Sequence, residues 1–134
     1  MLKRFYINNF KSLVDFDIEF SKFNCLIGLN GSGKSTLLQA IDFASSLMTG
    51  TVNDWLEKRV WQPRDVLSRL GMRRGLKVGF EVIINDEVYR WEGLLSRFGG
   101  VGKCIRESII RISDGTIFFS YKDGYYSFFI TKRI

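Results

Sequence analysis

One short stretch constrains the fold of this chain more than any other: residues 28–35 read Gly-Leu-Asn-Gly-Ser-Gly-Lys-Ser. They match the pattern G-x-x-x-x-G-K-S/T, in which glycines let the backbone curl until its N–H groups face a phosphate. In this pattern the lysine, Lys34, reaches the β- and γ-phosphates, and the hydroxyl of Ser35 binds Mg²⁺. A following helix would direct the positive end of its dipole at the same anion. The stretch therefore predicts a nucleotide-phosphate-binding loop (P-loop).

The residues on either side of this loop supply the context that a P-loop needs. Cys25-Leu26-Ile27 is typical of a short buried strand, and a helix is predicted from the loop to about Met48. Gly50 stands where a helix C-terminal glycine would stand. The apolar residues that recur at helical spacing are Leu37, Leu38, Ile41, Ala44 and Met48. The alternative, an incidental glycine-rich turn, does not explain the predicted order of strand, loop and helix.

Composition limits the class of protein and the kinds of site. The 134 residues, 46% hydrophobic and 25% charged, suffice for one globular domain. A net charge of +6 indicates either an acidic partner, such as a nucleotide or nucleic acid, or a solvated basic surface. The absence of histidine excludes His-based catalysis and His metal sites. Cys25 and Cys104 have no metal-ligand spacing and favour a reducing compartment. With no signal-like or membrane-spanning apolar run, we expect a cytoplasmic protein.

Alternating apolar and polar residues predict most of the remaining elements. Leu2–Asn8 and residues 14–20 are predicted to form an antiparallel pair of strands. Residues 53–58 and 64–70 are predicted to be short helices. Pro63, directly before residues 64–70, suits the first position of a helix. An antiparallel meander of five strands should follow, with loop 98–103 inside it. Its strands are predicted at residues 76–84, 88–95, 105–112, 116–121 and 125–130.

A basic cluster precedes this meander. Arg69, Arg73, Arg74 and Lys77 lie around two glycines, Gly71 and Gly75. Two interpretations stay open: a charged solvated loop, or a contact for nucleic acid or another partner.

Residues 82–87, Val-Ile-Ile-Asn-Asp-Glu, imitate a Walker B motif, an apolar strand that ends in Asp-Glu. We reject this interpretation because Asn85 interrupts the apolar run. The strand also alternates, whereas a central parallel strand is apolar on both faces. Asp86 and Glu87 stand where a hairpin needs its turn.

The N-terminal sequence resembles a known family. Ile-Asn-Asn-Phe-Lys-Ser, an alternating strand, the P-loop and Leu-Leu-Gln-Ala-Ile-Asp resemble the N-terminus of RecF/SMC-like ABC-type ATPases. They are more closely similar to the bacterial predicted ATPases called AAA_21 and AAA_15. The resemblance implies an α/β fold of α+β character, the N-terminal lobe of a P-loop NTPase without its C-terminal lobe. Its implied parts are a P-loop core (1–50), a helical basic connector (51–75) and an antiparallel β-subdomain (76–134).

The resemblance also implies roles for named residues. Residues 30–36 wrap the β- and γ-phosphates of ATP, Lys34 serves catalysis, and Ser35 ligates Mg²⁺. Lys11 and Ser12 match a basic–Ser pair that approaches the α-phosphate and ribose, although a solvated turn is the alternative for Lys11. The implied nucleotide-binding set is Gly28, Asn30, Gly31, Ser32, Gly33, Lys34, Ser35, Thr36, Lys11 and Ser12.

Several parts of a complete ATPase head are not found in the sequence. There is no Leu-Ser-Gly-Gly signature and no accepted Walker B motif. Gln62 is a Q-loop candidate only by default, because it precedes Pro63 at a predicted helix start and does not follow a strand. In the resembled group these parts lie in a C-terminal lobe, and the signature completes the site across a head dimer. The implied activity is ATP hydrolysis by a complete head, with this chain alone binding ATP but barely hydrolysing it.

Two alternatives to this ATPase hypothesis remain. One is a nucleotide-gated regulatory module, and the other is an interaction domain that uses the basic β-subdomain and carries a vestigial P-loop. The resemblance implies as partners a second copy across the nucleotide face, a C-terminal lobe in trans, DNA or a nuclease. The implied processes are DNA repair or defence against phage.

Overall fold

The computed structural model describes residues 1–69, 75–96 and 104–129, which form one sheet and three helices. The strands are β1 Leu2–Asn8, β2 Phe16–Glu19, β3 Leu76–Ile84, β4 Glu87–Leu95, β5 Cys104–Arg111, β6 Ile117–Lys122 and β7 Tyr125–Phe128. The helices are α1 Lys34–Thr49, α2 Val52–Glu57 and α3 Pro63–Val66. The architecture is thus mixed α/β.

The sheet is antiparallel throughout, with strand order β2-β1-β3-β4-β5-β6-β7. The predicted pairing of the first two strands and the five-strand meander are confirmed. Because β1 pairs with β3, the sheet joins the N-terminal hairpin to the meander without a break. Asn85 and Asp86 connect β3 to β4 with positive φ angles, as a tight hairpin turn requires. The interpretation of residues 82–87 as a hairpin rather than a Walker B strand is confirmed.

The core lies where the three helices meet one face of the sheet. Phe43 of α1 has no exposed surface, and its ring centre lies 5.4 Å from Phe10 and 5.2 Å from Trp55. The rings thus tie α1 to the loop after β1 and to α2. The buried apolar residues are Phe5, Ile7, Phe10, Leu13, Leu37, Ala40, Phe43, Ala44, Val52, Trp55, Leu56, Val66, Leu76, Val78, Trp91 and Leu95.

The predicted strand at Cys25-Leu26-Ile27 is wrong. This segment is irregular, Cys25 is exposed, and Ile27 is 89% exposed. A strand needs a neighbour for its backbone N–H and C=O groups and a surface that covers its apolar side chains. None of the seven described strands pairs with residues 25–27, so they have neither support.

The second short helix is shorter than predicted. Helix α3 ends at Val66 because Leu67 is extended and forms an isolated bridge with Phe10. Its N-terminus is stabilised by a capping box between Gln62 and Asp65, with Pro63 at the first position as predicted. The remaining predictions at Leu70, Gly71, Arg73, Arg74, loop 98–103 and Ile130 lie outside the described residues.

Candidate functional site

The P-loop residues curl around the side chain of Lys34. Its Nζ donates hydrogen bonds to the carbonyl oxygens of Gly28 at 2.6 Å and Leu29 at 2.7 Å, and to Ser32 Oγ at 3.2 Å. The Ser32 N–H donates to the Leu29 carbonyl at 3.2 Å, which closes the turn. The loop therefore brings the one ammonium group of the motif onto its concave side.

Glycines make this curl possible. Gly31 and Gly33 have φ angles of 81° and 91°, in the left-handed region that L side chains rarely adopt. A Cβ at Gly28 would lie 2.8 Å from Ser32 Oγ, so the hydroxyl would have to move. The motif therefore needs glycine at Gly31 and Gly33 because of their positive φ angles, and at Gly28 because the Ser32 side chain lies close to it.

Helix α1 begins directly at the motif lysine. Gly33 is the N-cap, no side chain caps it, and the first turn holds no acidic residue. The first N–H groups of a helix have no partner within the helix, and the positive end of the dipole lies there. Together with Lys34 they form a positively polarised end, which favours an anion such as phosphate.

Ser35 and Thr36 occupy the first turn of α1. Ser35 is exposed and Thr36 is half-buried, and neither hydroxyl hydrogen-bonds to any part of the chain that the structure describes. An exposed hydroxyl beside the anion-binding end suits a Mg²⁺ ligand, because Mg²⁺ takes few protein ligands and keeps several waters. Among residues 1–69, 75–96 and 104–129, no group of three or more Asp, Glu or Cys residues is placed to hold a metal ion.

Lys11 lies beside the same helix, one turn beyond Ser35. Its Nζ donates to Gln39 Oε1 at 3.1 Å and lies 3.2 Å from the centre of the Trp61 ring. The pKa of Lys11 is lowered, mainly because the side chain is partly buried and also because the positive charge of Arg59 is nearby. The backbone of Lys11 is held by a hydrogen bond from its N–H to the Val66 carbonyl at 2.9 Å. Lys11 is therefore a fixed cation and not a freely solvated turn residue.

The other candidates differ in position. Ser12 is exposed in the turn next to Lys11, and Asn30 is exposed at the tip of the P-loop. Gln62 caps α3 and does not follow a strand, so its geometry differs from that of a Q-loop glutamine. Sequence reasoning missed Gln39 as a neighbour of Lys11, although Gln39 follows Ser35 by one helical turn and so shares its face of α1.

Comparisons with known proteins found sequence similarity to an ATPase family model and to individual proteins. A family model described as "AAA ATPase domain" matches residues 1–60, which contain the whole P-loop and Lys11. The protein "DNA replication and repair protein RecF" of Actinobacillus succinogenes is 34% identical over 100 residues, 64% of this chain and 28% of that protein. RecF of Phocaeicola vulgatus is 46% identical over 52 residues, 38% of this chain and 14% of that protein. An "OLD nuclease" of Thermus scotoductus is 45% identical over 42 residues, 31% of this chain and 8% of that protein.

The N-terminal part of this chain is therefore similar to RecF-like P-loop ATPase regions. The chain spans less than a third of the length of each of these relatives. No helix in the described part of the chain is both long and apolar enough to cross a membrane.

Proposed function

We propose that residues 28–36 bind the phosphates of ATP together with Mg²⁺. The observation that carries the proposal is the position of the Lys34 ammonium group, 2.6 Å and 2.7 Å from two carbonyl oxygens on the concave side of the loop. A phosphate oxygen is a charged acceptor, and charge-assisted hydrogen bonds are roughly twice as strong as neutral ones. Lys34 would therefore exchange the carbonyl oxygens for the β- and γ-phosphates.

The start of α1 completes the anion site. Its first turn has no side-chain cap, so its N–H groups and the positive dipole end would be available to a phosphate bound beside Lys34. Ser35 would bind Mg²⁺ through its hydroxyl, and Thr36 would add a further donor to the phosphates. Bound Mg²⁺ would neutralise charge on the phosphate oxygens.

Lys11 would extend the site toward the α-phosphate and ribose. Gln39 holds its ammonium group over the Trp61 ring, one helical turn from Ser35. Because four residues of α-helix rise about 6 Å, this cation lies within the span of a nucleotide whose terminal phosphates occupy the P-loop. Ser12, in the same turn, would add a hydroxyl.

Hydrolysis requires a group that orients the attacking water, and two described carboxylates, Asp42 on α1 and Asp65 on α3, are already engaged. Asp42 accepts hydrogen bonds from Trp55 Nε1 at 2.7 Å and from Arg59 at 2.6 Å. Asp65 accepts the Gln62 N–H at 2.8 Å. We therefore propose that the catalytic carboxylate comes from a segment outside these residues, in a second lobe or a second copy. This chain alone would bind ATP and turn it over slowly.

Exposed apolar residues just before and within the P-loop support the proposal that a further structural element packs against them. Ile27 and Leu29 are 89% and 86% exposed, although both are large and apolar. A neighbouring strand from the remainder of an ATPase head would cover them and order residues 25–27 as a strand. Such a head would act in DNA maintenance, by analogy with relatives that are named for DNA replication and repair.

The test is a calorimetric titration with ATP and Mg²⁺, with phosphate release measured on the same samples. Wild type should bind, and Lys34→Ala should lose at least tenfold in affinity because a charge-assisted contact is worth about 1.5–3 kcal/mol. Lys58→Ala is the matched control, since Lys58 is the exposed C-cap residue of α2 and lies outside the loop. Equal affinities for the three proteins would refute the proposal.

Nucleotide binding and phosphate release, measured together, distinguish the three hypotheses. Binding without turnover that becomes turnover in a longer chain supports the ATPase hypothesis. Binding without turnover in both favours the nucleotide-gated regulatory module. No binding in either favours an interaction domain with a vestigial P-loop.

A further inference from the structure

The outer edge of the meander is formed by β7, and most of its side chains are aromatic. Tyr125, Tyr126, Phe128 and the following Phe129 are between 57% and 81% exposed. Strand β7 is last in the order of the sheet, and in the described part of the chain no strand pairs with its outer side. A strand edge that combines unpaired backbone groups with exposed apolar side chains is a template for pairing with another chain. We call residues 125–129 the aromatic edge.

The strand register shows which backbone groups of the aromatic edge point outward. The Phe129 N–H donates to the Phe118 carbonyl at 3.1 Å, so the backbone groups of Phe129 point toward β6. Along an antiparallel strand, residues that bond to one neighbour alternate with residues whose backbone groups point to the other side. Ser127 therefore also bonds toward β6, whereas the N–H and C=O groups of Tyr126 and Phe128 point outward. An incoming strand would find both donors and acceptors at these two residues.

The order of side chains along the aromatic edge is symmetric about Ser127. Two aromatic residues precede it and two follow, in the sequence Tyr-Tyr-Ser-Phe-Phe. An interface with twofold symmetry must be self-complementary in this way, because residue i meets residue j and residue j meets residue i. With Ser127 on the axis of an antiparallel pair, Tyr126 lies opposite the partner's Phe128, and Tyr125 lies opposite the partner's Phe129. The outward backbone groups of Tyr126 and Phe128 then meet each other, so backbone and side chains select the same alignment.

The exposed aromatic surface is large enough for a specific interface. An aromatic side chain buries about 150–250 Å², so the exposed parts of these four rings amount to about 500 Å² per chain and about 1,000 Å² for two copies. This area is at the lower bound expected for a biological interface. Two of the rings are already packed, since Phe128 lies 5.2 Å from Phe119 and Tyr126 lies 4.8 Å from Tyr121, measured between ring centres. Rings that are held in place lose little conformational freedom on binding.

We propose that the aromatic edge binds a second copy of this chain. Strand β7 of each copy runs antiparallel to the other with Ser127 on the twofold axis, and the two sheets join into one continuous sheet. Four strands separate β7 from β1, whose following loop packs against α1 through Phe10 and Phe43. The interface is thus distinct from the nucleotide face, and either assignment can fail without the other.

The test is sedimentation equilibrium of the full chain between about 1 and 200 μM, since an interface of this size is at the weak end of specific association. Wild type should reach twice the monomer mass with or without ATP and Mg²⁺, and Lys34→Ala should behave like wild type. Ser127→Glu and Ser127→Lys each place two like charges opposite each other on the axis, where side chains are closest. Each should raise the dissociation constant of the dimer by about tenfold or more.

Mixing the two Ser127 variants gives the sharpest comparison. In a mixed dimer the two substituted side chains carry opposite charges across the axis. An equimolar mixture should therefore dimerise at concentrations at which each variant alone is monomeric. Damage to the fold by either substitution would not be reversed by mixing.

Further variants test the backbone pairing and the position of the interface. Phe128→Pro removes an outward N–H but no hydrogen bond to β6, so it should weaken the dimer about tenfold or more, and Phe128→Leu should weaken it less. Ser45→Glu and Ser45→Lys, at an exposed serine on α1, should dimerise like wild type. Circular dichroism at about 1 μM, where the dimer is dissociated, should show that the Ser127 variants melt like wild type.

Four results would overturn the proposal. The first is a wild type that stays monomeric at the highest concentration. The second is a dimer that forms only with ATP or that persists in both Ser127 variants, which would assign it to the nucleotide face or to another surface. The third is a mixture of the Ser127 variants that stays monomeric. The fourth is a longer chain that stays monomeric, which would show that a later segment covers β7 instead.

Discussion

Replacing Phe43 by alanine should be among the most destabilising substitutions in the helical layer. Phe43 is fully buried, and its ring centre lies 5.4 Å from that of Phe10 and 5.2 Å from that of Trp55. Buried Phe→Ala changes cost about 3–5 kcal/mol, and the two ring contacts place this site near the middle or upper part of that range. We therefore expect a loss of about 4 kcal/mol in the free energy of unfolding.

Urea unfolding followed by circular dichroism measures this loss. With an m-value of about 2 kcal/mol/M, a 4 kcal/mol loss lowers the midpoint by about 2 M. Phe43→Leu should cost less than about 1.5 kcal/mol because it keeps most of the volume. Leu38→Ala, at a position on the same helix that is 60% exposed, should change stability by about 0.5 kcal/mol or less. A loss below about 1 kcal/mol for Phe43→Ala, or similar losses at both positions, would refute the placement of α1 on the sheet.

Three further predictions test local features. Asp86→Gly should raise the free energy of unfolding in urea by about 0.5 kcal/mol, because Asp86 has φ of 63° after Asn85 and glycine adopts this conformation without strain; a loss would contradict the turn. The guanidinium of Arg111, with Thr116 N–H, holds the pKa of Asp114 well below its usual range. Because its pKa is lowered in the folded state, the Asp114 carboxylate stabilises the fold at pH values above the ordinary carboxyl pKa, and this contribution is lost as the pH falls through the folded-state pKa. Arg111→Gln removes the guanidinium and should therefore raise the pKa of Asp114 toward its ordinary value in an NMR titration. An unchanged pKa would contradict the pairing. Gly33→Ala should lower the melting temperature, since φ at Gly33 is 91°, and an unchanged value would contradict the strained start of α1.

Elements that depend on nearby residues were predictable from the sequence. The meander follows from alternating apolar residues and from turn pairs such as Asp123-Gly124, whose positive φ angles fit a tight hairpin. The C-terminus of α1 follows from Gly50, whose φ of 70° ends the helix. The curled backbone of residues 28–33 was predictable because the motif places glycines where positive φ angles occur, at Gly31 and Gly33.

Features that depend on distant residues were not predictable in the same way. Residues 25–27 have the apolar character of a strand, yet no described strand pairs with them. Local sequence reports the propensity of a segment but not whether a neighbour is present. The contacts of Lys11 with Gln39 and Trp61 likewise join residues 28 and 50 positions apart, which no local pattern indicates.

The most direct test of the central claim, that the P-loop of this chain binds nucleotide phosphates, is a backbone amide NMR titration with Mg²⁺ and a non-hydrolysable ATP analogue. The account predicts that the largest shift changes occur at residues 28–36, that smaller ones occur at Lys11 and Gln39, and that β6 and β7 stay unchanged. The same titration of Lys34→Ala should show none of these changes. Shifts that concentrate on the meander, or that persist in Lys34→Ala, would contradict it.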